Sequence, residues 1–179
     1  DEKDYYKTIA PRPTLCVSTI SEGGSSNLAP YSFATPLVMD PPIIGVVAGG
    51  EKDTLMNARE MGDFVVAPLT NDWREEGVRA EVDLPRGESE FEEVGLTESE
   101  SQKVNAPAVR EAPINLECKY RDEFRIEDSF LLVGEVVNVM VKKGSLKEGR
   151  INLEELGTVG HVCGEEFCVA NEVIQIERD

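Results

Sequence analysis

The chain has 179 residues, of which 40% are hydrophobic, and its formal net charge at pH 7 is −17. That length is enough for one hydrophobic core, so we expect a single domain over residues 1–179. The negative charge disfavours nucleic acid as a partner, because such binding depends on Lys and Arg neutralising phosphates. The longest apolar stretch, residues 41–48, is too short to cross a bilayer, and we expect a cytoplasmic protein without membrane contact.

Four segments in the first 70 residues predict strands. Alternating polar and apolar side chains predict strands at residues 14–20 and 28–33, with turn-forming residues between them. An apolar run predicts a buried strand at residues 43–48 that ends at two glycines. A fourth strand is predicted at residues 64–69.

The segment between the third and fourth strands predicts a helix. Asp53 is a suitable N-cap residue, and Gly62 suits the left-handed position that follows a last helical turn. Leu55, Ala58 and Met61 have the three- and four-residue spacing of a helix face turned towards a core. We therefore expect one well-defined helix at this position.

The middle of the chain is acidic and weakly periodic. Residues 71–80 are compatible with a second helix, whereas residues 81–105 predict no regular element. A loop of that length in a compact domain is usually a lid or a binding loop, and a disordered surface loop is the alternative. The sequence does not decide whether this segment covers a binding site.

The last third of the chain predicts four strands. Residues 114–120 and 130–142 predict two long strands with a turn near residues 127–128 between them. The many valines of the second strand favour a half-buried sheet surface over a helix. Residues 157–163 and 167–176 predict two short final strands.

These elements predict a mainly β protein of the α+β class. We expect an antiparallel barrel of about six to seven strands with a few peripheral helices. Regular alternation of strands and helices is absent, and the sequence contains neither the glycine-rich dinucleotide fingerprint nor a GxxxxGK[ST] phosphate loop. Any phosphate site must therefore be built in another way.

The four cysteines lack the paired spacing of a zinc site, and the single histidine, His161, cannot complete a His-rich cluster. We therefore expect no metal. Cys163 and Cys168 could face each other across a hairpin turned at Gly164, within reach of a disulfide. Two reduced cysteines are the favoured alternative.

A candidate anion site lies at the start of the predicted helix. Lys52 supplies charge, and Thr54 and Asn57 supply side-chain donors three residues apart, on one face of the helix. The unpaired backbone N–H groups of the first turn point at the same place. On spacing alone, a capped surface helix with an incidental lysine is favoured over a phosphate site.

Several short motifs occur in a fixed order along the chain. They are Pro11-Arg12-Pro13, Asn27-Leu28-Ala29-Pro30-Tyr31-Ser32-Phe33, Asp40-Pro41-Pro42, Lys52-Asp53-Thr54-Leu55-Met56-Asn57, Phe91, Gly95-Leu96-Thr97, Ala112-Pro113, Leu116-Glu117-Cys118 and Val133-Gly134-Glu135-Val136-Val137. In this order and spacing the chain resembles the flavin reductase-like proteins, especially the archaeal FMN-binding protein and flavoredoxin group. The resemblance covers nearly the whole chain, and no single motif is decisive.

The resemblance implies a split barrel of the Greek-key type that forms a homodimer, with non-covalent FMN in a groove at the subunit interface. The flavin ring would lie against Asn27, Ala29, Pro30, Tyr31, Ser32, Phe33 and Thr35. Lys52, Thr54 and Asn57 would hold the phosphate. Core or dimer packing is the alternative for Tyr31 and Phe33, because alternate residues of a strand face opposite ways.

His161 lies where similar proteins carry a segment rich in glycine and aromatic residues, which would place it near the flavin or the dimer interface. It would then donate a hydrogen bond to a flavin carbonyl or the phosphate, and a structural histidine is an equal alternative. No catalytic residue is predicted, because flavin chemistry needs no acid–base pair from the protein.

The resemblance implies an oxidoreductase that passes electrons through FMN to a small acceptor, such as free flavin or a ferric chelate. Two departures leave the donor open between NADH, NADPH and another protein: Glu127-Asp128-Ser129 replaces a frequent Gly-Asp-His, and Val38 replaces a frequent hydroxyl residue. The alternative is a non-enzymatic FMN-binding electron carrier or flavin store. An acidic interaction module without a cofactor is a remote third hypothesis.

Overall fold

The computed structural model describes residues 2–178, which form mainly strands. The strands are Arg12–Pro13 (β1), Leu15–Ile20 (β2), Ser26–Tyr31 (β3), Ala34–Val38 (β4), Ile43–Ala48 (β5), Asp63–Pro68 (β6), Glu98–Ser99 (β7), Ala108–Val109 (β8), Ile114–Ile126 (β9), Ser129–Val141 (β10), Leu146–Lys147 (β11), Arg150–Ile151 (β12), Thr158–Cys163 (β13) and Glu166–Ala170 (β14). The prediction of a mainly β protein is confirmed.

The helices are short and peripheral. They are Asp53–Met61 (α1), Arg74–Arg79 (α2), Glu90–Val94 (α3) and Leu153–Leu156 (α4), with 3₁₀ helices at Glu2–Thr8 and Asn71–Trp73. None of the helices within residues 2–178 combines the length and the apolar character needed to cross a membrane.

Seven strands form one antiparallel sheet in the order β3-β2-β6-β9-β10-β5-β4. Its edge strands, β3 and β4, are consecutive in the chain and are separated only by Ser32 and Phe33. A flat sheet would set these edges about 29 Å apart, whereas the three chain steps between them span at most about 11 Å. The sheet must therefore curl until the end of β3 lies near the start of β4, which gives the curled half-barrel of a split-barrel fold. Phe33, in the connection between β3 and β4, already bonds to β5: the Val47 amide donates a hydrogen bond to the Phe33 carbonyl (2.8 Å).

The remaining strands form small sheets beside the barrel. One has the order β1-β13-β14, and the pairs β7-β8 and β11-β12 are two-stranded. The register of β13 and β14 pairs Val159 with Val169 and His161 with Phe167. This hairpin therefore carries His161 to the side of the barrel.

Among the described residues, the two largest of three buried clusters flank the main sheet. One contains the barrel residues Val17, Ile44, Val46, Leu55, Ala58, Phe64, Val66, Cys118 and Leu132. Leu55 and Ala58 of α1 are fully buried in it, as the predicted helix face requires, whereas Met61 is only partly buried. The second cluster includes Trp73 and Phe91, so the middle segment of the chain contributes to a core.

The acidic segment 81–105 is ordered, contrary to the prediction that it contains no regular element. It includes α3 and β7, and two buried carboxylates hold its end. Asp63 accepts hydrogen bonds from the backbone N–H groups of residues 105–106 and from Lys119 Nζ (3.0 Å). Glu117 accepts two from the N–H groups of residues 102–103 (2.8 and 2.6 Å). These contacts are tertiary, so the local periodicity did not predict them.

Other element boundaries also differ from the predictions. β4 was missed because it is an edge strand whose five residues are all at least partly exposed, so burial does not alternate along it. The last strand ends at Ala170 instead of residue 176, and the apolar side chains beyond it are exposed. The N-cap of α1 is Lys52 and not Asp53: the Lys52 carbonyl accepts the first helical hydrogen bonds, from Leu55 and Met56.

The four cysteines are free, which agrees with the favoured reduced state. The predicted facing arrangement is wrong, because Cys163 pairs with Glu166 and Cys168 pairs with Gly160. Burial raises the pKa of the Cys118 thiol to about 12, so this group is not a thiolate at neutral pH.

Gly134 marks a close approach inside the barrel. It lies in β10 at a bulge, and a Cβ atom there would collide with the fully buried ring of Phe64. We expect Gly134→Ala to lower the free energy of unfolding by about 1–3 kcal/mol, because overpacking a rigid core forces its neighbours to move. Urea unfolding of the purified variant measures this change.

Gly23→Ala is the matched control, since the nearest atom to its added Cβ is Ser21 Oγ at 3.8 Å. Equal unfolding midpoints for the two variants would contradict the close packing at position 134.

Candidate functional site

A cavity of about 410 Å³, here called the β3–α1 cavity, lies between β3, the first turn of α1 and residues 80–90. Its volume is within the range of small-molecule sites. Among the predicted flavin-binding residues, it is lined by Asn27, Ala29, Pro30, Tyr31, Lys52 and Thr54. The fold thus brings the predicted ring strand and the predicted anion site to one place.

A row of polar side chains forms one wall of this cavity. Asn27 Nδ2 donates a hydrogen bond to Thr54 Oγ1 (2.9 Å), and the Thr54 hydroxyl also interacts with the Tyr31 phenol. Burial raises the pKa of Tyr31, so the phenol stays neutral at physiological pH. The wall therefore offers uncharged groups that can donate or accept hydrogen bonds.

Two cations line the end of the cavity at α1. Lys52 occupies the N-cap position, and its exposed Nζ lies 3.8 Å from Asp83 Oδ1. Arg86 was not predicted, and its Nη1 donates to Asp53 Oδ1 (3.0 Å). With the backbone N–H groups of the first helical turn they make a candidate anion site, in which a ligand would replace the carboxylates now paired with the two cations. Although carboxylates also line the cavity, no group of three or more potential metal ligands occurs among the described residues.

Asn57 does not reach this anion site. Its side chain is 2% exposed, and its Nδ2 donates to Thr19 Oγ1 (3.2 Å). Its Oδ1 is buried without a hydrogen-bond partner in the described part of the chain. Asn57 lines a neighbouring cavity of about 370 Å³, whose lining shares Asn27, Asp53 and Arg86 with the β3–α1 cavity.

His161 lies outside the β3–α1 cavity, next to Ser32. Its Nε2 is 3.0 Å from the Gly164 carbonyl, which can only accept, so Nε2 carries the hydrogen. Nδ1 then accepts from Ser32 Oγ (3.1 Å) and faces Arg12 Nη2 (3.4 Å). The imidazole stacks on Phe167 with a centroid distance of 4.8 Å. These contacts fix the ring against the end of β3.

Phe33 and Thr35 also lie outside the cavity. The Phe33 side chain is 45% exposed and packs against the Tyr6 ring (6.2 Å between centroids) and the Arg12 guanidinium (5.6 Å). Thr35 is exposed on β4, where its hydroxyl donates to the Pro36 carbonyl (3.3 Å). Ser32 directly follows the cavity-lining residue Tyr31 in the chain, whereas Phe33 and Thr35 do not line the cavity.

Residues 80–90 form the outer wall of the β3–α1 cavity. Glu90 anchors this wall to the barrel, because its Oε2 accepts a hydrogen bond from the Leu28 N–H of edge strand β3 (2.9 Å). Arg86 ties the wall to α1 through Asp53 and Glu60. Glu90 is only 7% exposed, and burial raises the pKa of its carboxyl group.

Because burial raises the pKa of Glu90, ionising this carboxyl group lowers the free energy of unfolding, and the size of this effect depends on pH. Below the unfolded-state pKa the carboxyl is protonated in both states, and above the folded-state pKa the folded protein bears the full cost of the buried charge. Gln cannot titrate, and its amide oxygen can still accept from Leu28. We therefore expect Glu90→Gln to gain stability relative to wild type as pH rises from about 4 to about 7.

Urea unfolding at a series of pH values measures this difference. Glu92→Gln is the control, because Glu92 is exposed on the same helix. If Glu90→Gln and wild type showed the same pH dependence, the assignment of a buried, destabilised carboxylate would be wrong.

The family model described as "Flavin reductase like domain" matches residues 8–155. An uncharacterized protein of Halalkalibacterium halodurans is 34% identical over 191 residues, covering 98% of this chain and 91% of that protein. Nitrilotriacetate monooxygenase component B from Bacillus cereus has a similar structure, with a TM-score of 0.89, 33% identity and coverage of 98% and 94%. The FMN-binding protein from Thermus thermophilus with bound 1-cyclohex-2-enone gives a TM-score of 0.82 at 20% identity, covering 96% and 93%, which shows a shared fold.

Proposed function

Because the chain belongs to the flavin reductase-like domain family, we propose that it is an oxidoreductase that passes electrons through non-covalent FMN to a small acceptor. The observation that carries the proposal is the β3–α1 cavity, where a polar strand meets a helix N-terminus flanked by Lys52 and Arg86. A similar structure named as a monooxygenase component supports redox chemistry, and one named as an FMN-binding protein supports the cofactor.

The residues of the cavity suit a flavin mononucleotide. Lys52, Arg86 and the first-turn N–H groups of α1 would hold the phosphate, which would take the place of the Asp83 and Asp53 carboxylates beside the two cations. Asn27, Thr54 and Tyr31 would bind neutral polar groups of the ligand. The wall formed by residues 80–90 would limit the access of water. Bound FMN would supply the electron transfer, and the protein would supply binding and orientation.

Ser32 and His161 would approach the cofactor from the other side of β3. The family model matches residues 8–155 and does not reach His161. A role for His161 at the flavin is therefore part of the proposal and not of the family match. Its Nδ1 accepts from Ser32, and Nε2–H is committed to the Gly164 carbonyl. His161 would therefore position Ser32 more readily than donate directly to a flavin.

We expect Lys52→Ala to weaken FMN binding roughly tenfold, because one charge-assisted contact to the phosphate is lost. Titration of the purified protein with FMN, followed by an absorption spectrum after desalting, measures retention. Lys143→Ala is the control, since Lys143 is an exposed lysine outside the cavity. A protein that stays colourless at every FMN concentration would refute the proposed function.

The same flavin-loaded protein separates an enzyme from a carrier. Addition of NADH or NADPH without oxygen bleaches the flavin absorption if the protein accepts electrons from a pyridine nucleotide. Retention of one flavin per chain without bleaching would favour the electron carrier or flavin store and would exclude pyridine nucleotide turnover.

We further propose that the protein forms a homodimer. Exposed apolar side chains occur on two strands that pair with β5: Leu37 and Val38 of β4, and Val137, Val139 and Val141 of β10. Met39, which follows β4, is 92% exposed. Val38 and Glu135 both pair with Ile43, so these groups lie on neighbouring parts of the sheet. An apolar surface of this kind is typical of a subunit interface.

Sedimentation equilibrium tests the dimer, which is expected at twice the 19.7 kDa of one chain. We expect Val139→Glu to shift the protein towards monomer, because a buried unpaired carboxylate opposes association. Ile174→Glu is the control, since Ile174 is 70% exposed in the segment after β14. A wild-type monomer, or a Val139→Glu variant that dimerises normally, would contradict this interface.

A further inference from the structure

A separate cavity, of about 640 Å³ and here called the α2 pocket, lies between α2 and the β13–β14 hairpin. Val78, Val159, Phe167 and Val169 supply an apolar wall, and charged side chains lie at its rim. An apolar wall with a few polar groups is the usual composition of a small-molecule site.

The walls of the α2 pocket are held rigidly. Val159 and Val169 are direct cross-strand partners in the hairpin. On the other side, Gly77 of α2 is buried so close to Leu69 and Trp73 that a Cβ atom at this position would collide with them. A preformed pocket reduces the entropy lost when a ligand binds.

Arg79 is the available cation of this pocket. Within residues 2–178, its guanidinium makes no ion pair or side-chain hydrogen bond. The other arginine, Arg74, is already committed to the carbonyl and the Oδ1 of Asn71 (2.8 Å each). In a chain with 35 acidic and 18 basic residues, a free guanidinium beside an apolar wall is suited to a carboxylate ligand.

The rim of the pocket limits the charge of the ligand. Glu75, Glu81 and Glu165 line it and would repel a second negative charge. Arg79 can pair with one carboxylate of a ligand, and the three rim carboxylates disfavour any further negative charge, as on a phosphate or a dicarboxylate. The apolar wall, which includes the Phe167 ring, favours an aromatic body on a monoanion.

The α2 pocket also adjoins the β3–α1 cavity. Glu81 lines both of them. The Phe167 ring stacks on His161, which accepts from Ser32 directly after the cavity strand. A ligand in the pocket would therefore lie one side-chain layer from the proposed flavin site.

We infer that the α2 pocket binds a small aromatic monocarboxylate, with its carboxylate held by Arg79 and its ring packed against Val159, Phe167 and Val169. Binding at this pocket does not depend on the cofactor. Its use as a position for the second substrate rests on the proposed function.

Titration of the flavin-free protein with benzoate tests the inference. Trp73 is the only tryptophan and is buried at the start of α2, so its fluorescence reports binding, and calorimetry gives the affinity. We expect Arg79→Ala to weaken benzoate binding at least roughly tenfold, with an intermediate loss in Arg79→Lys, which keeps the charge without the fork-shaped donor pair. Arg150→Ala, a change at an exposed arginine of β12, should leave binding unchanged.

Benzamide and inorganic phosphate are the ligand controls, and both should bind much more weakly than benzoate. Equal binding of benzoate and benzamide, full affinity in a folded Arg79→Ala variant, or no benzoate binding up to about 10 mM would overturn the inference. If benzoate did not bind but FMN was retained, the inference about the α2 pocket would be refuted and the proposed function would stand. Arg79-dependent benzoate binding by a protein that never retains FMN would refute the proposed function alone.

Discussion

Ser32 and Phe33 connect the two edges of a seven-stranded sheet, and this short connection forces the sheet to close. Closure produces the interior that Phe64 and Leu132 fill, and it leaves β3 with an outer edge at the seam. The first turn of α1 and the wall of residues 80–90 cover that edge. The β3–α1 cavity is therefore a direct result of where the barrel closes.

Buried carboxylates explain how an acidic, weakly periodic segment becomes ordered. Asp63, Glu117 and Glu90 each accept hydrogen bonds from backbone N–H groups that no helix or sheet partner would otherwise satisfy. Hydrogen bonds to a charged acceptor stabilise by about 1.5–3 kcal/mol each. The cost is the desolvation of the carboxylates, and at Glu90 the pKa rises because this cost is not fully offset.

Local signals determined which features could be predicted from the sequence. The apolar run of Ile43–Ala48 and the capping and spacing signals of α1 gave a strand and a helix close to their observed limits. Arg86 and Glu90 were missed because their partners in the site lie 33 and 62 residues away in the chain. Asn57 was correctly grouped with Thr54 on one helix face, but that face is buried against the barrel, which spacing alone does not indicate.

His161 is the only histidine of the chain, and it contacts residues beside both cavities. In a proton NMR spectrum its ring therefore gives an isolated pair of resonances that needs no isotope labelling to assign. The stacked Phe167 ring and the Ser32 hydroxyl both influence the chemical shifts of these resonances. The resonances of this one histidine can thus report ligand binding in the cavities on either side of the β13–β14 hairpin. They can also show whether a ligand in one cavity affects the other cavity.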